Sequence, residues 1–95
     1  MSSGMTWTIK YLRSVKKQVK KIDLQARREI RNYLEQRVAT LKNPRDLGQP
    51  LSANLTGLWR YRVGDYRIIC DIQDQELIVL VVRIGHRKQV YKKPL

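Results

Sequence analysis

The sequence predicts an α+β fold: an N-terminal β-strand, an antiparallel helical hairpin, then a three-stranded antiparallel meander, with the helices packed on one face of the sheet. Three observations predict it. Apolar residues recur at helical spacing from Leu12 to Leu41. After Gly57 the hydrophobic period drops to two. Turn residues at Gly64-Asp65 and Gln73 to Glu76 then cut the second half into strand-length pieces.

The elements follow in order. Thr6 to Tyr11 alternates polar and apolar, with Trp7, Ile9 and Tyr11 on one face of a short strand. Leu12, Val15, Val19 and Ile22 form the apolar stripe of a first helix, and Lys16, Lys17, Lys20 and Lys21 fill its other side. Asp23 suits the N-cap of a second helix, whose stripe is Leu24, Ile30, Leu34, Val38 and Leu41. Asn43-Pro44 ends it. Arg45 to Thr56 reads as loop. Leu58 to Val63 and Tyr66 to Ile72 are strands joined by Gly64-Asp65, a two-residue turn of type II′. Leu77 to Ile84 is so aliphatic that it reads as a central strand buried on both faces. A basic tail follows Gly85.

With 95 residues the chain makes one domain, taken as 5–95. Met1 to Gly4, ahead of Met5, reads as an expression scar. Twenty Lys and Arg against eight Asp and Glu give a charge of +12, which repels itself in the compact state and calls for an anionic partner. No apolar run reaches the roughly 18 residues of a membrane span. A single cysteine, Cys70, forms no internal disulfide and fits a cytoplasmic setting. One His and one Cys do not make the usual zinc sets, and no phosphate-loop or dinucleotide fingerprint occurs, so neither metal nor cofactor is expected.

The turn fixes a register. If Gly64-Asp65 is the loop, Val63 pairs with Tyr66, Arg62 with Arg67, Tyr61 with Ile68 and Arg60 with Ile69. Trp59, Tyr61, Val63, Tyr66, Ile68 and Cys70 then share the apolar face that meets the helices. Arg60, Arg62 and Arg67 share the other. Like charges directly opposite in a sheet are destabilising. A solvated basic face is one reading. A phosphate site is the other, since guanidinium forks match phosphate oxygens.

The segment His86, Arg87, Lys88, Gln89, Val90, Tyr91 would reach one end of the sheet as a second wall. RNA is cut without metal when its 2′-OH attacks the neighbouring phosphate. That reaction needs a base, cations for the charged transition state, and a proton for the leaving oxygen. Tyr91, with its phenol pKa drawn down by surrounding cations, is a candidate base. Arg87 balances charge, and His86 is a further acid–base candidate.

These residues carry a resemblance. The runs Leu55 to Val63, Gly64 to Ile69, and Ile84-Gly85-His86-Arg87 with Tyr91 resemble the RelE toxins of the RelE/ParE superfamily, from about Met5 to Tyr91. The resemblance implies a toxin of a type II toxin–antitoxin system, an endoribonuclease (mRNA interferase) that cleaves messenger RNA in the ribosomal A site and so inhibits translation. It implies catalytic roles for Arg60 and Arg62 as the paired basic residues, Arg67 at the scissile phosphate, Arg87 as the late arginine and Tyr91 as general base. Lys16, Lys17, Lys20, Lys21 and Lys88 would face ribosomal RNA. The expected partners are an acidic antitoxin that folds on binding, the ribosome and mRNA, with no membrane and no small-molecule cofactor. Two departures stand out. Well-known members carry Lys where Arg60 and Arg62 stand, and Arg does not give up its proton. Four residues after Tyr91 leave no room for the C-terminal helix of some members. Two alternatives remain: a ParE-like, gyrase-inhibiting toxin of the same fold, and a non-catalytic RNA-binding module.

Overall fold

The computed structural model describes residues 6–90. Met1 to Gly4 and Tyr91 therefore lie outside the described residues. The elements are β1 (Thr8–Tyr11), α1 (Arg13–Val19), α2 (Leu24–Asn32), β2 (Gln49–Pro50), β3 (Trp59–Val63), β4 (Tyr66–Gln73) and β5 (Ile78–His86). They build one sheet in the order β1-β5-β4-β3-β2. β1 joins β5 in parallel, with Thr8 opposite Ile78, and the other pairs are antiparallel.

The helices cover one face. Val15, Ile22, Ile30, Leu34 and Val38 pack with Tyr61, Ile68, Cys70, Ile72, Val79, Val81 and Ile84 in a single core. Along β4, and along β5 as far as Val81, these residues alternate, so burial on one side follows from the period of two; Ile84 follows an irregularity in β5. Asp23 caps α2: its Oδ2 accepts from Ala26 N at 3.1 Å. Beyond Asn32 the helix widens into a π-helical stretch, Tyr33–Val38, closed by Ala39 N donating to Leu34 O at 2.9 Å.

Several expectations need correction. Leu12 does not begin the first helix; it is extended at ψ 153° and 39% exposed, so that the chain can leave β1 before turning. Leu24 is 64% exposed in the first turn of α2, too far out to join the stripe. The span read as loop, Arg45 to Thr56, contains the two-residue β2. Three side chains pin the surrounding segment. Tyr61 donates its buried hydroxyl to Pro44 O at 2.7 Å, Trp59 Nε1 donates to Leu47 O at 2.7 Å, and Trp7 Nε1 donates to Lys42 O at 3.2 Å. Leu77 lies outside β5 at φ 54°. β5 itself is fully buried on one face only: Val79, Val81 and Ile84 are inside, whereas Ile78, Leu80 and Arg83 are half-buried.

Candidate functional site

The β3–β4 hairpin has the register derived from its turn: Val63 opposite Tyr66, Arg62 opposite Arg67, Tyr61 opposite Ile68, Arg60 opposite Ile69. Gly64 takes φ 58° and Asp65 a negative φ, the pattern of a type II′ turn. Arg60, Arg62 and Arg67 consequently leave the sheet on the side away from the helices.

β5 extends this face. Arg67 is opposite Gly85 and Ile69 opposite Arg83, so two rows cross three strands: Arg62, Arg67, Gly85, and next to it Arg60, Ile69, Arg83. Arg83 was missed by sequence reasoning. Strict alternation from Val79 and Val81 would bury it, but a bulge opposite Ile69 and Cys70 leaves Val82 unmatched and inverts the order. The signal that could have found it is an arginine at a position alternation assigns to the core.

Backbone and side-chain oxygens hold the guanidinium groups of Arg67, Arg60 and Arg83. Arg67 Nη1 donates to Gly64 O at 3.0 Å and Tyr66 O at 3.1 Å. Arg60 Nη2 donates to Gln49 Oε1 of the edge strand. Arg83 Nη1 donates to Val90 O at 2.8 Å. Arg87 joins the same end: its backbone N donates to Asp65 O at 2.7 Å, and its Nε lies 3.8 Å from Asp65 Oδ1. Arg62, Arg67 and Arg87 thus gather at the Gly64-Asp65 turn, with Arg62 and Arg87 exposed. The tail beyond β5 coils back, with Gln89 N and Val90 N both donating to His86 O at 2.8 and 2.9 Å.

Not every candidate comes to this place. His86 stands opposite Tyr66, its ring edge-on to the tyrosine at 6.0 Å, on the other side of the sheet from Arg67. Its Nδ1 accepts from Lys88 N at 3.2 Å. Lys16, Lys17, Lys20 and Lys21 are exposed on and just after α1, which packs on the opposite face of the sheet. They form a second basic surface, separate from the arginines. Lys88 is exposed in the tail turn beside Arg87.

Chemically, the arginine face can hold an anion and stabilise charge. Among the described residues no group of three or more His, Cys, Asp or Glu is placed to hold a metal. Cys70 is fully buried, and burial pushes its thiol pKa well above its usual range, so it is no nucleophile. No helix among the described residues is long and apolar enough to cross a membrane.

Comparison with known proteins finds a matching family and similar folds. Residues 9–91 match the family described as ParE toxin of type II toxin-antitoxin system, parDE. Toxin RelG of Mycobacterium tuberculosis (strain ATCC 25618 / H37Rv) is 33% identical over 52 residues, 55% of this chain and 60% of the relative. Toxin RelE of the same organism is 40% identical over 52 residues, 55% of this chain and 54% of the relative. The matched stretch thus spans less than two thirds of either relative. In fold, the chain is similar to the RelBE2 toxin–antitoxin complex from Mycobacterium tuberculosis, with a TM-score of 0.80 at 21% identity, covering 92% of this chain and 98% of that one. It is also similar to the isolated E. coli RelE toxin, with a TM-score of 0.66 at 14% identity, covering 90% and 92%. The chain belongs to the ParE toxin family of type II toxin–antitoxin systems.

Proposed function

We propose that this chain is a ribosome-dependent endoribonuclease that cleaves mRNA in the A site in the cytoplasm and is silenced by an acidic antitoxin. The observation that carries the reading is the gathering of Arg62, Arg67 and Arg87 at one hairpin turn, next to the point where the tail leaves β5. In this reading the RNA 2′-oxygen attacks the adjacent phosphorus, Tyr91, as the phenolate that the surrounding cations favour, takes the 2′ proton, and the bond to the 5′-oxygen breaks. A 2′,3′-cyclic phosphate and a 5′-hydroxyl result, the latter protonated from water because Arg does not release a proton. Arg67 and Arg62 stabilise the charge on the phosphorane, and Arg87 orients the phosphate. The role of Tyr91 rests on the sequence resemblance alone. Lys16, Lys17, Lys20 and Lys21 supply a separate contact with ribosomal RNA, worth affinity without sequence preference.

The test is a map of mRNA cuts on translating ribosomes. Arg67→Ala and Arg87→Ala are each expected to slow cutting by about 100-fold, the scale for losing one charge-stabilising donor. Cutting at the wild-type rate in both variants would refute the assignment. The matching family's ParE name favours one second reading, inhibition of DNA gyrase. Inhibition of supercoiling by the purified chain, with no cuts on ribosomes, would establish that reading instead.

A further inference from the structure

The tail is built back onto the arginine face. Val90 is 3% exposed, although it lies beyond the last strand and outside the main core cluster. It covers Gly85. A Cβ placed on Gly85 would stand 3.1 Å from Val90 Cβ and 3.2 Å from Val90 Cα and Cγ2. Such distances are tighter than ordinary carbon contacts of about 3.5–4.0 Å. Gly85 has no left-handed backbone to explain it, so close approach is what a hydrogen at this position permits. Arg83, two residues earlier, is half-buried, and its Nη1 donates to Val90 O at 2.8 Å. Gln89 N and Val90 N close the turn on His86 O. Packing from Gly85, a charge-assisted bond from Arg83 and the turn on His86 therefore fix one residue, Val90. The next residue in the sequence is Tyr91.

We propose that Arg83 and Gly85 are positioning residues that seat the tail on the arginine face through Val90 and thereby fix the residue that precedes Tyr91 in sequence, the base of the proposed reaction. The inference rests on the ribonuclease reading for its consequence, but the seat itself is a structural claim. Arg83 acts through the Val90 carbonyl and is distinct in duty from Arg62, Arg67 and Arg87. Its place is made by the β5 bulge, which turns it outward to the same face as Gly85.

Four variants separate positioning from charge. Gly85→Ala alters no charge and displaces Val90 by a few tenths of an ångström. Val90→Gly removes the packing from the other side and leaves β5 untouched. Arg83→Met breaks the bond to the carbonyl, and Arg83→Lys restores one donor. Two readouts are taken: amide hydrogen exchange at Gln89 and Val90 against Ile68 and Val81, and single-turnover cutting on translating ribosomes over a range of ribosome concentrations. Gly85→Ala, Val90→Gly and Arg83→Met are expected to lose at least tenfold protection at Gln89 and Val90, with Ile68 and Val81 unchanged. Cutting should fall about tenfold, less than the roughly 100-fold that a full ångström of misplacement costs. For Gly85→Ala the half-saturating ribosome concentration should stay within twofold, and Arg83→Lys should recover most of the Arg83→Met loss in both readouts. Undiminished protection at Val90 in Gly85→Ala, Val90→Gly and Arg83→Met would overturn the seat. Wild-type cutting with the tail released, or a loss in Gly85→Ala that tracks ribosome affinity, would overturn the positioning role. If the wild-type chain makes no cuts at all, the ribonuclease reading fails separately, and the seat is judged by exchange.

Discussion

Arg62 and Arg67 face each other across β3 and β4, and replacing Arg62 by Gln measures what that opposition costs. Two unit charges about 5 Å apart repel by about 0.8 kcal/mol in water-like surroundings and about 3 kcal/mol at an effective dielectric of 20. Arg62 is exposed, which selects the lower figure. Arg67 Nη1 donates to the Gly64 and Tyr66 carbonyls, whose partial negative charge lowers it further. Arg62→Gln is therefore expected to stabilise the fold by about 0.5 kcal/mol at low salt, which raises Tm by about 2–4 °C in a domain of this size. The gain should shrink as salt screens the pair. An anion seated between the arginines removes the same conflict in the wild type. A non-cleavable 2′-deoxy dinucleotide at fixed ionic strength should thus raise the wild-type Tm more than that of Arg62→Gln. Calorimetric melts at low and high salt, with and without the dinucleotide, read all of these effects. An Arg62→Gln variant that melts at or below the wild type in low salt would refute the repulsion. Equal dinucleotide shifts in the two proteins would refute the anion site.

Three further outcomes are expected. Tyr61→Phe strands the buried Pro44 carbonyl that its hydroxyl serves at 2.7 Å, and should cost about 1–3 kcal/mol in a denaturant titration. Gly48→Ala should unfold the edge or fail to accumulate, since Gly48 has φ +78° and an added Cβ would meet the Arg60 carbonyl oxygen, Trp59 Nε1 at 2.7 Å and Tyr61 Cδ1 at 2.9 Å; circular dichroism and Tm check it. Stability should also fall with alkali. Burial raises the pKa values of Cys70, Tyr61 and Tyr11 in the folded chain, so the unfolded chain binds fewer protons above the ordinary thiol and phenol values. The contribution is whole below about pH 8.5 and declines above it, first through Cys70 and then through the tyrosines near pH 10. A Tm flat from pH 7 to 10.5 would contradict this, and Cys70→Ala should delay the onset toward the tyrosine range.

How much of this was legible in the sequence differs from element to element. The hairpin was readable because a two-residue turn with Gly first leaves little freedom of register, and alternation then assigns every side chain to a face. The apolar stripe from Val15 to Val38 was readable for the same reason at a different period. The π-helical widening at Tyr33–Val38 was not, because Leu34 and Val38 keep an ordinary helical spacing whichever carbonyl Ala39 uses. β2 was not readable either: two residues, one of them Pro, carry no period, and what pins the segment is Trp59 and Tyr61 reaching from a distant strand.

The bulge in β5 had the largest consequence for the site. Counting by two from Val79 puts Arg83 in the core and Ile84 outside; the unmatched Val82 exchanges them, so that Ile84 is 5% exposed and Arg83 joins the outer row. The same inversion sends His86 to the side of Tyr66 and leaves Gly85 bare beneath Val90. One unpaired residue therefore decides three things at once: which arginines line the face, which way the histidine points, and where the tail can cross. Without it, Arg83 would have to be buried uncompensated beside Val81, at a cost of several kcal/mol that no partner in that aliphatic core offsets. The physical conflict between an arginine and its apparent place in an aliphatic strand was already present in the residues. Resolving it toward a bulge, rather than toward an end of the strand, needed the pairing of Ile68 with Ile84 that only the folded sheet supplies.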